Sequence, residues 1–360
     1  MDRNPLTNLI QVVRKLKIVK HLKRQIFLVE LVSAMIKSRS VIFSELAQNM
    51  EREALPSSIE RRIQDFFQKV DFDYVQLLSL LLSFVPHQKM VLSIDRTEWD
   101  HGQEQYNILC VIASIGKMGV PLYFELLDNK SGNSNSEDRI RVLKQIIKIG
   151  RKERIAYLVM DREFIGQKWL SWLKQQQIDF CVRVPKHHLI HFLAGDKYCA
   201  EDLLQQRSNT YASQVIVDGV VVNLYVGKAK DGELLYLIGT LCCTQLKAAY
   251  RKRWSIEVFF QALKGRGFQL EKTGLRCPVK LRKLFAIACI AYTLCWATAI
   301  ENAKYRPVKR KKHGYPQYSV FRRGLNIIRQ ALKKGICKSL EALWLALEQR
   351  LAKMRIKTIG

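Results

Sequence analysis

Residues 89–97 read KMVLSIDRT. The apolar run Met90–Ile94 has the composition of a buried strand, and it stops on an acid, Asp95. A carboxylate at the end of such a strand is costly to bury and asks for a partner. A second run of the same kind, RIAYLVMDREF at 154–164, delivers Asp161. Between them, NILCVIASIGK (107–117) and GVPLYFELL (119–127) follow at hairpin spacing, joined by a turn at 117–119. SEDRIRVLKQIIKIG (136–150) then places Ile140, Val142, Leu143, Ile146 and Ile147 on one side of a helix that ends at Gly150. A helix through GQKWLSWLKQQQ (166–177) and a strand through IDFCVRV (178–184) complete an alternation of strand and helix that argues for an α/β fold.

Outward from this centre the pattern changes on both sides. Residues 1–88 carry apolar positions at helical spacing, Leu9, Val12, Val13 and Leu16, then Leu28, Leu31, Val32, Met35 and Ile36, and read as a small helical domain. In SSIERRIQDFFQKV (57–70), Arg61 and Arg62 lie either on a solvated face or against a DNA backbone. Residues 186–244 are β-rich, with Asp218-Gly219 between alternating apolar residues as a hairpin signal. The chain turns helical again from Thr244 to Lys264 and across 278–303. A basic tail follows, with Lys309-Arg310-Lys311-Lys312 and a leucine-bearing helix over 339–353.

Charge supports a polyanionic partner. Of 360 residues, 60 are Lys or Arg and 32 are Asp or Glu, a net +28, and residues 247–360 hold +22 of it against +6 for the rest. A charge this large on a folded chain favours nucleic acid over an anionic membrane surface. The nine cysteines show no repeated C-x-x-C spacing and read as reduced thiols. Charges interrupt the first 24 residues, so a secretory signal is not expected. The uncharged run 284–300 falls short of a membrane span and reads as a buried core helix. These features place the protein in the cytoplasm, with access to DNA and no membrane partner.

The third acid comes from YRKRWSIEVFFQALKGRG (250–267). On a helical wheel Tyr250, Arg253, Glu257 and Lys264 fall at about 0°, 300°, 340° and 320°, on one face. Such a stripe is either a solvated face or a carboxylate metal ligand framed by phosphate-binding cations. Trp254, on the same segment, is expected in the core. Glu98, Asp100 and Glu163 compete with the two aspartates as ligands but read as outer or surface groups.

Asp95, Asp161 and the Tyr250-x2-Arg253-x3-Glu257-x6-Lys264 series resemble the signature of insertion-sequence transposases of the type-four family, DDE enzymes with an RNase H-like catalytic core. The resemblance covers nearly the whole chain. It implies a helical DNA-binding domain at 1–88, an RNase H-like α/β core at 89–303 with a β-rich insertion at 186–244, and a basic helical region at 304–360. It also implies that Asp95, Asp161 and Glu257 bind two Mg²⁺ ions, with Mn²⁺ able to substitute, and that Tyr250, Arg253 and Lys264 grip double-stranded DNA at the element's terminal inverted repeats. The implied reaction frees a 3′-OH at the element's end and joins it to target DNA, normally by a homodimer on paired ends, in a prokaryotic cytoplasm. The rival readings are an RNase H-like nuclease without strand transfer and an inactive DNA-binding derivative. One feature departs from the family: members that cut through a hairpin commonly stack an extruded base on a Trp of the insertion, and 186–244 contains none. Tyr211, Tyr225, Tyr236 and Phe192 are aromatic residues there that could stack a base in its place.

Overall fold

The structure, a computed structural model, describes residues 14, 16–101, 104–128, 132–204, 210–229, 232–312 and 314–334. The tail helix expected over 339–353, and Leu9, Val12 and Val13, lie outside the described residues. Contacts divide the chain into two compact units, one of Met1–Pro86, Trp99–Tyr106 and Phe260–Gly360, the other of His87–Glu98 and Asn107–Phe259.

The second unit is built on a sheet of β1 (Met90–His101), β2 (Glu104–Ile115), β3 (Met118–Leu126), β4 (Ile155–Met160), β5 (Phe180–Arg183), β6 (Leu189–His191), β7 (Lys197–Cys199), β8 (Thr210–Val217), β9 (Val220–Lys228) and β10 (Leu234–Gly239). Its spatial order is β3-β2-β1-β4-β5-β10-β9-β8-β6-β7. β1 pairs with β4 and β4 with β5 in parallel, whereas β2 and β3 are antiparallel. This order over the first five strands is that of an RNase H-like α/β core. Leu158, Val159 and Met160 of β4 are all buried, as a central strand covered on both faces requires.

The segment between β5 and β10 adds no separate sheet. β10 pairs antiparallel with β5, so the β-rich insertion prolongs the core sheet strand by strand. The Asp218-Gly219 turn joins β8 to β9 with both residues at positive φ, 49° and 73°, as a two-residue hairpin demands. Helices α5 (Ser136–Gly150) and α6 (Gln167–Gln175) belong to this unit. α5 starts at Ser136, as the sequence indicates, and a capping box of Asn135 and Asp138 fixes that start.

The first unit is helical. It holds α1 (Leu22–Ser38), α2 (Phe43–Gln48), α3 (Pro56–Lys69) and α4 (Tyr74–Ser83), together with α9 (Pro278–Tyr305) and α10 (Val320–Lys334), so residues 260–303, expected within the core region, group with the N-terminal helices. The expectation of a buried helix at 284–300 holds: α9 is long and apolar enough to cross a membrane, but 89% of its apolar window is buried inside the protein. Lys283 at its start is also buried and donates to the Phe67 carbonyl at 2.9 Å. α10 packs on α9 through Phe321, whose ring stacks on Tyr292 at 5.5 Å. Gly324 makes this approach possible, since a Cβ there would stand 1.6 Å from the Cys295 carbonyl oxygen.

Candidate active site

β1 and β4 run side by side until Ile94 meets Met160, and the next residue on each strand is an aspartate. Parallel pairing therefore sets Asp95 and Asp161 next to one another at the carboxyl end of this ladder. Asp161 follows the end of β4 as expected, but Asp95 does not end its strand, because β1 continues to His101. Each carboxylate accepts from the backbone of the residue after it: Arg96 N–H donates to Asp95 Oδ1 at 2.8 Å and Arg162 N–H to Asp161 Oδ1 at 2.9 Å.

The segment carrying the third acid is not one helix. α7 (Cys243–Tyr250) gives way to a 3₁₀ turn at Arg251–Arg253, and α8 (Trp254–Leu263) starts afresh. The wheel drawn at 100° per residue thus fails across the turn. The side chains converge all the same. Arg253 Nη1 donates to Asp95 Oδ2 at 2.8 Å and lies 3.5 Å from Asp161 Oδ2, and its Nη2 donates to Glu257 Oε1. Tyr250 Oη donates to Asp161 Oδ1 at 3.0 Å, and its ring lies 5.7 Å from the Arg253 guanidinium.

The three acids expected as ligands are therefore gathered around one cation, Arg253, which sequence reading had assigned to DNA. Burial pushes the Asp95 carboxyl up to about 7, against the pull of Arg253 and the Arg96 N–H. Burial also raises the Tyr250 phenol, with Asp161 adding to the effect. Burial opposes the charge on Arg253, yet Tyr250 and the three carboxylates together hold its pKa above the ordinary value. Among the described residues no three Asp, Glu, His or Cys side chains form a metal cage as they stand. The donor set itself suits a hard divalent cation, since three carboxylates supply only oxygen, and their common point already holds positive charge.

The remaining expected residues lie elsewhere. Lys264 belongs to the first unit, where its Nζ meets Glu271 Oε1 at 3.1 Å. Arg61 and Arg62 are exposed on α3 in that unit, with Arg61 beside a shallow groove lined by Ser57, Glu60, Gln64 and Asp65. Trp254 is not a core residue: it is 57% exposed, directly after Arg253. Of the four insertion aromatics named above, Tyr225 and Tyr236 are buried and Tyr211 and Phe192 keep accessible rings, and Tyr198 in the same segment is also exposed. Glu163 and Glu98 both pair with Arg96, as outer groups would, and the Asp100 side chain lies outside the described residues.

Two features escaped sequence reading. Ser93 on β1, Ser114 on β2 and Ser255 on α8 form a chain of hydroxyls, each link 2.7 Å, and Ser255 donates on to the Lys252 carbonyl at 2.8 Å. This chain fastens the start of the Glu257 helix to the strand that bears Asp95. The buried Arg139 donates to Ser134 Oγ at 2.9 Å, the Glu163 carbonyl at 2.8 Å and the Ile165 carbonyl at 3.2 Å, fixing the turn just after Asp161. No motif announces either network, because serines and an arginine in amphipathic segments are ordinary.

A sequence profile described as the transposase DDE domain matches residues 86–294. This chain belongs to the DDE transposases. They are metal-dependent DNA-cleaving enzymes, and the matched span contains the three acids together with Tyr250, Arg253 and Lys264. No curated protein matches the sequence of this transposase. Among solved structures it is similar to a piggyBac transposase synaptic complex with hairpin DNA, at 13% identity and a TM-score of 0.41, over 86% of this chain and 66% of that one. It is also similar to endonuclease V from Bacillus subtilis, at 11% identity and a TM-score of 0.25, over 63% of this chain and 91% of that one. The transposase thus spans just under two thirds of the piggyBac chain.

Proposed function

We propose that this transposase acts on an insertion sequence of the type-four family, cutting at the element's terminal inverted repeats and joining the freed 3′-OH ends to target DNA. The observation that carries the reading is the convergence of Asp95, Asp161 and Glu257 at the carboxyl end of the β1–β4 ladder. Three carboxylates from separate elements, partly withdrawn from water, are an expensive arrangement with no structural purpose of their own. These residues would hold the divalent ions, for which Mg²⁺ is the natural choice and Mn²⁺ a substitute. When bound, two such ions supply Lewis acidity to the attacking and leaving oxygens of a phosphodiester.

The protein's own groups do the rest. Tyr250, Arg253 and Lys264 carry hydroxyl, guanidinium and ammonium donors suited to phosphate oxygens. Trp254, next to Arg253 along the chain, offers an exposed ring on which an unstacked base can lie. In this reading residues 1–88, with Arg61 and Arg62, and the basic region 304–360 bind the DNA backbone, while 89–303, including the insertion 186–244, carries out the chemistry. No tyrosine–DNA link is required, since water and then the 3′-OH are the nucleophiles. By analogy with the family, two copies act on paired ends, in the cytoplasm.

Cleavage of a labelled duplex ending in the element's own repeats, with Mg²⁺, tests this. Wild type should cut at the repeat boundary, and Glu257→Gln, which keeps size but loses charge, should fall by at least about 10³-fold. Nicking indifferent to the repeat would favour the nuclease reading, and binding without any cutting would favour an inactive derivative.

A further inference from the structure

We infer that Arg253 is a charge placeholder that couples metal loading to DNA grip: its guanidinium holds the three carboxylates together in the metal-free protein, and arriving divalent ions release it to a phosphate. The inference rests on the reading of Asp95, Asp161 and Glu257 as metal ligands. Nη1 alone engages Oδ2 of both aspartates, while Nη2 takes Oε1 of Glu257. A guanidinium keeps its charge at any working pH, so it cannot make way by losing a proton. Divalent ions drawn to these carboxylates are repelled by the guanidinium already in contact with them, so ion binding favours its departure.

Displacement is possible without unfolding. Arg253 lies in the short 3₁₀ turn between α7 and α8, its side chain is 15% exposed, and its guanidinium lies 5.7 Å from the Tyr250 ring. Once free, its planar fork of N–H donors matches a phosphate in two-point fashion. Linkage then requires reciprocity: metal must strengthen DNA binding, and a phosphate that draws Arg253 away must strengthen metal binding by the same factor.

Mn²⁺ binding to the full chain without DNA, followed by electron paramagnetic resonance, tests the idea. Arg253→Gln should bind Mn²⁺ about tenfold more tightly than wild type, within the usual range of such couplings. Arg253→Lys, whose single ammonium cannot span three carboxylates, should fall between. Replacing EDTA by Ca²⁺ should tighten wild-type binding to a terminal-repeat duplex, and Arg253→Gln should lose that gain. Unchanged or weaker Mn²⁺ binding in Arg253→Gln overturns the placeholder role. Should both Arg253 variants fail to fold, the wild-type duplex measurement decides, and an affinity indifferent to Ca²⁺ overturns it. Asp95→Asn and Glu257→Gln separate the two layers: if neither weakens Mn²⁺ binding, the ligand reading itself has failed; if both do while Arg253→Gln matches wild type, only the placeholder has.

Discussion

Asp95 shows how one buried acid ties stability to chemistry. Its pKa lies at about 7 in the folded protein against an ordinary 3.8, burial being the main cause. Between those values the native state keeps a proton that the unfolded chain releases, so this residue's contribution to the stability of the metal-free protein falls as pH rises from about 4 to about 7. Asp95→Asn mimics the protonated form, and its amide oxygen can still accept from Arg253. Calorimetry in EDTA should therefore show Asp95→Asn melting roughly 2–5 °C above wild type at pH 8, with the gap closing towards pH 4. Equal melting temperatures at pH 8 would show that folding does not raise the carboxyl's pKa. Asp95 and Asp161 were legible as candidates from the two apolar runs that lead into them. That Arg253 would sit among them was not, because a cation three residues after Tyr250 looks the same whether it faces phosphate or carboxylate.

At the scale of elements, the hydroxyl chain from Ser93 through Ser114 to Ser255 makes β1, β2 and α8 one mechanical piece. Ser114→Ala removes the middle link, at a net cost of about 1 kcal/mol in stability. Ser255 keeps its bond to the Lys252 carbonyl, so the fold should survive. Strand cleavage should fall more than that loss of stability explains, with duplex binding in Ca²⁺ unchanged, and a parallel loss of binding would argue against a positioning role. In the first unit, Gly324 is the contact point of α9 and α10. Gly324→Ala would force the two helices apart and should cost about 1–3 kcal/mol, read from urea unfolding. Sequence periodicity located most of the helices and strands, since apolar spacing is a local property, but it passed over α10 (Val320–Lys334). It missed the 3₁₀ turn at Arg251–Arg253 because no Gly or Pro marks it.

Across the whole molecule, a net charge of +28, most of it carried by residues 247–360, makes counterion release the dominant contribution to DNA affinity. Binding to the terminal repeat should weaken steeply with salt, with a log–log slope of magnitude above about 4, and non-specific duplex should show a similar slope. A flat salt dependence in filter binding would remove the basic surface as the source of affinity. The sequence by itself determined the α/β core, the two strand-borne aspartates, the basic C-terminal half and the hairpin at Asp218-Gly219, because periodicity, composition and turn chemistry act over a few neighbouring residues. Tertiary structure alone decided that the insertion prolongs the core sheet, that Trp254 faces solvent, and that Arg253 unites acids 158, 92 and 4 residues away along the chain. Such contacts join segments distant in sequence, and strand pairing and burial, which local patterns do not encode, bring them together.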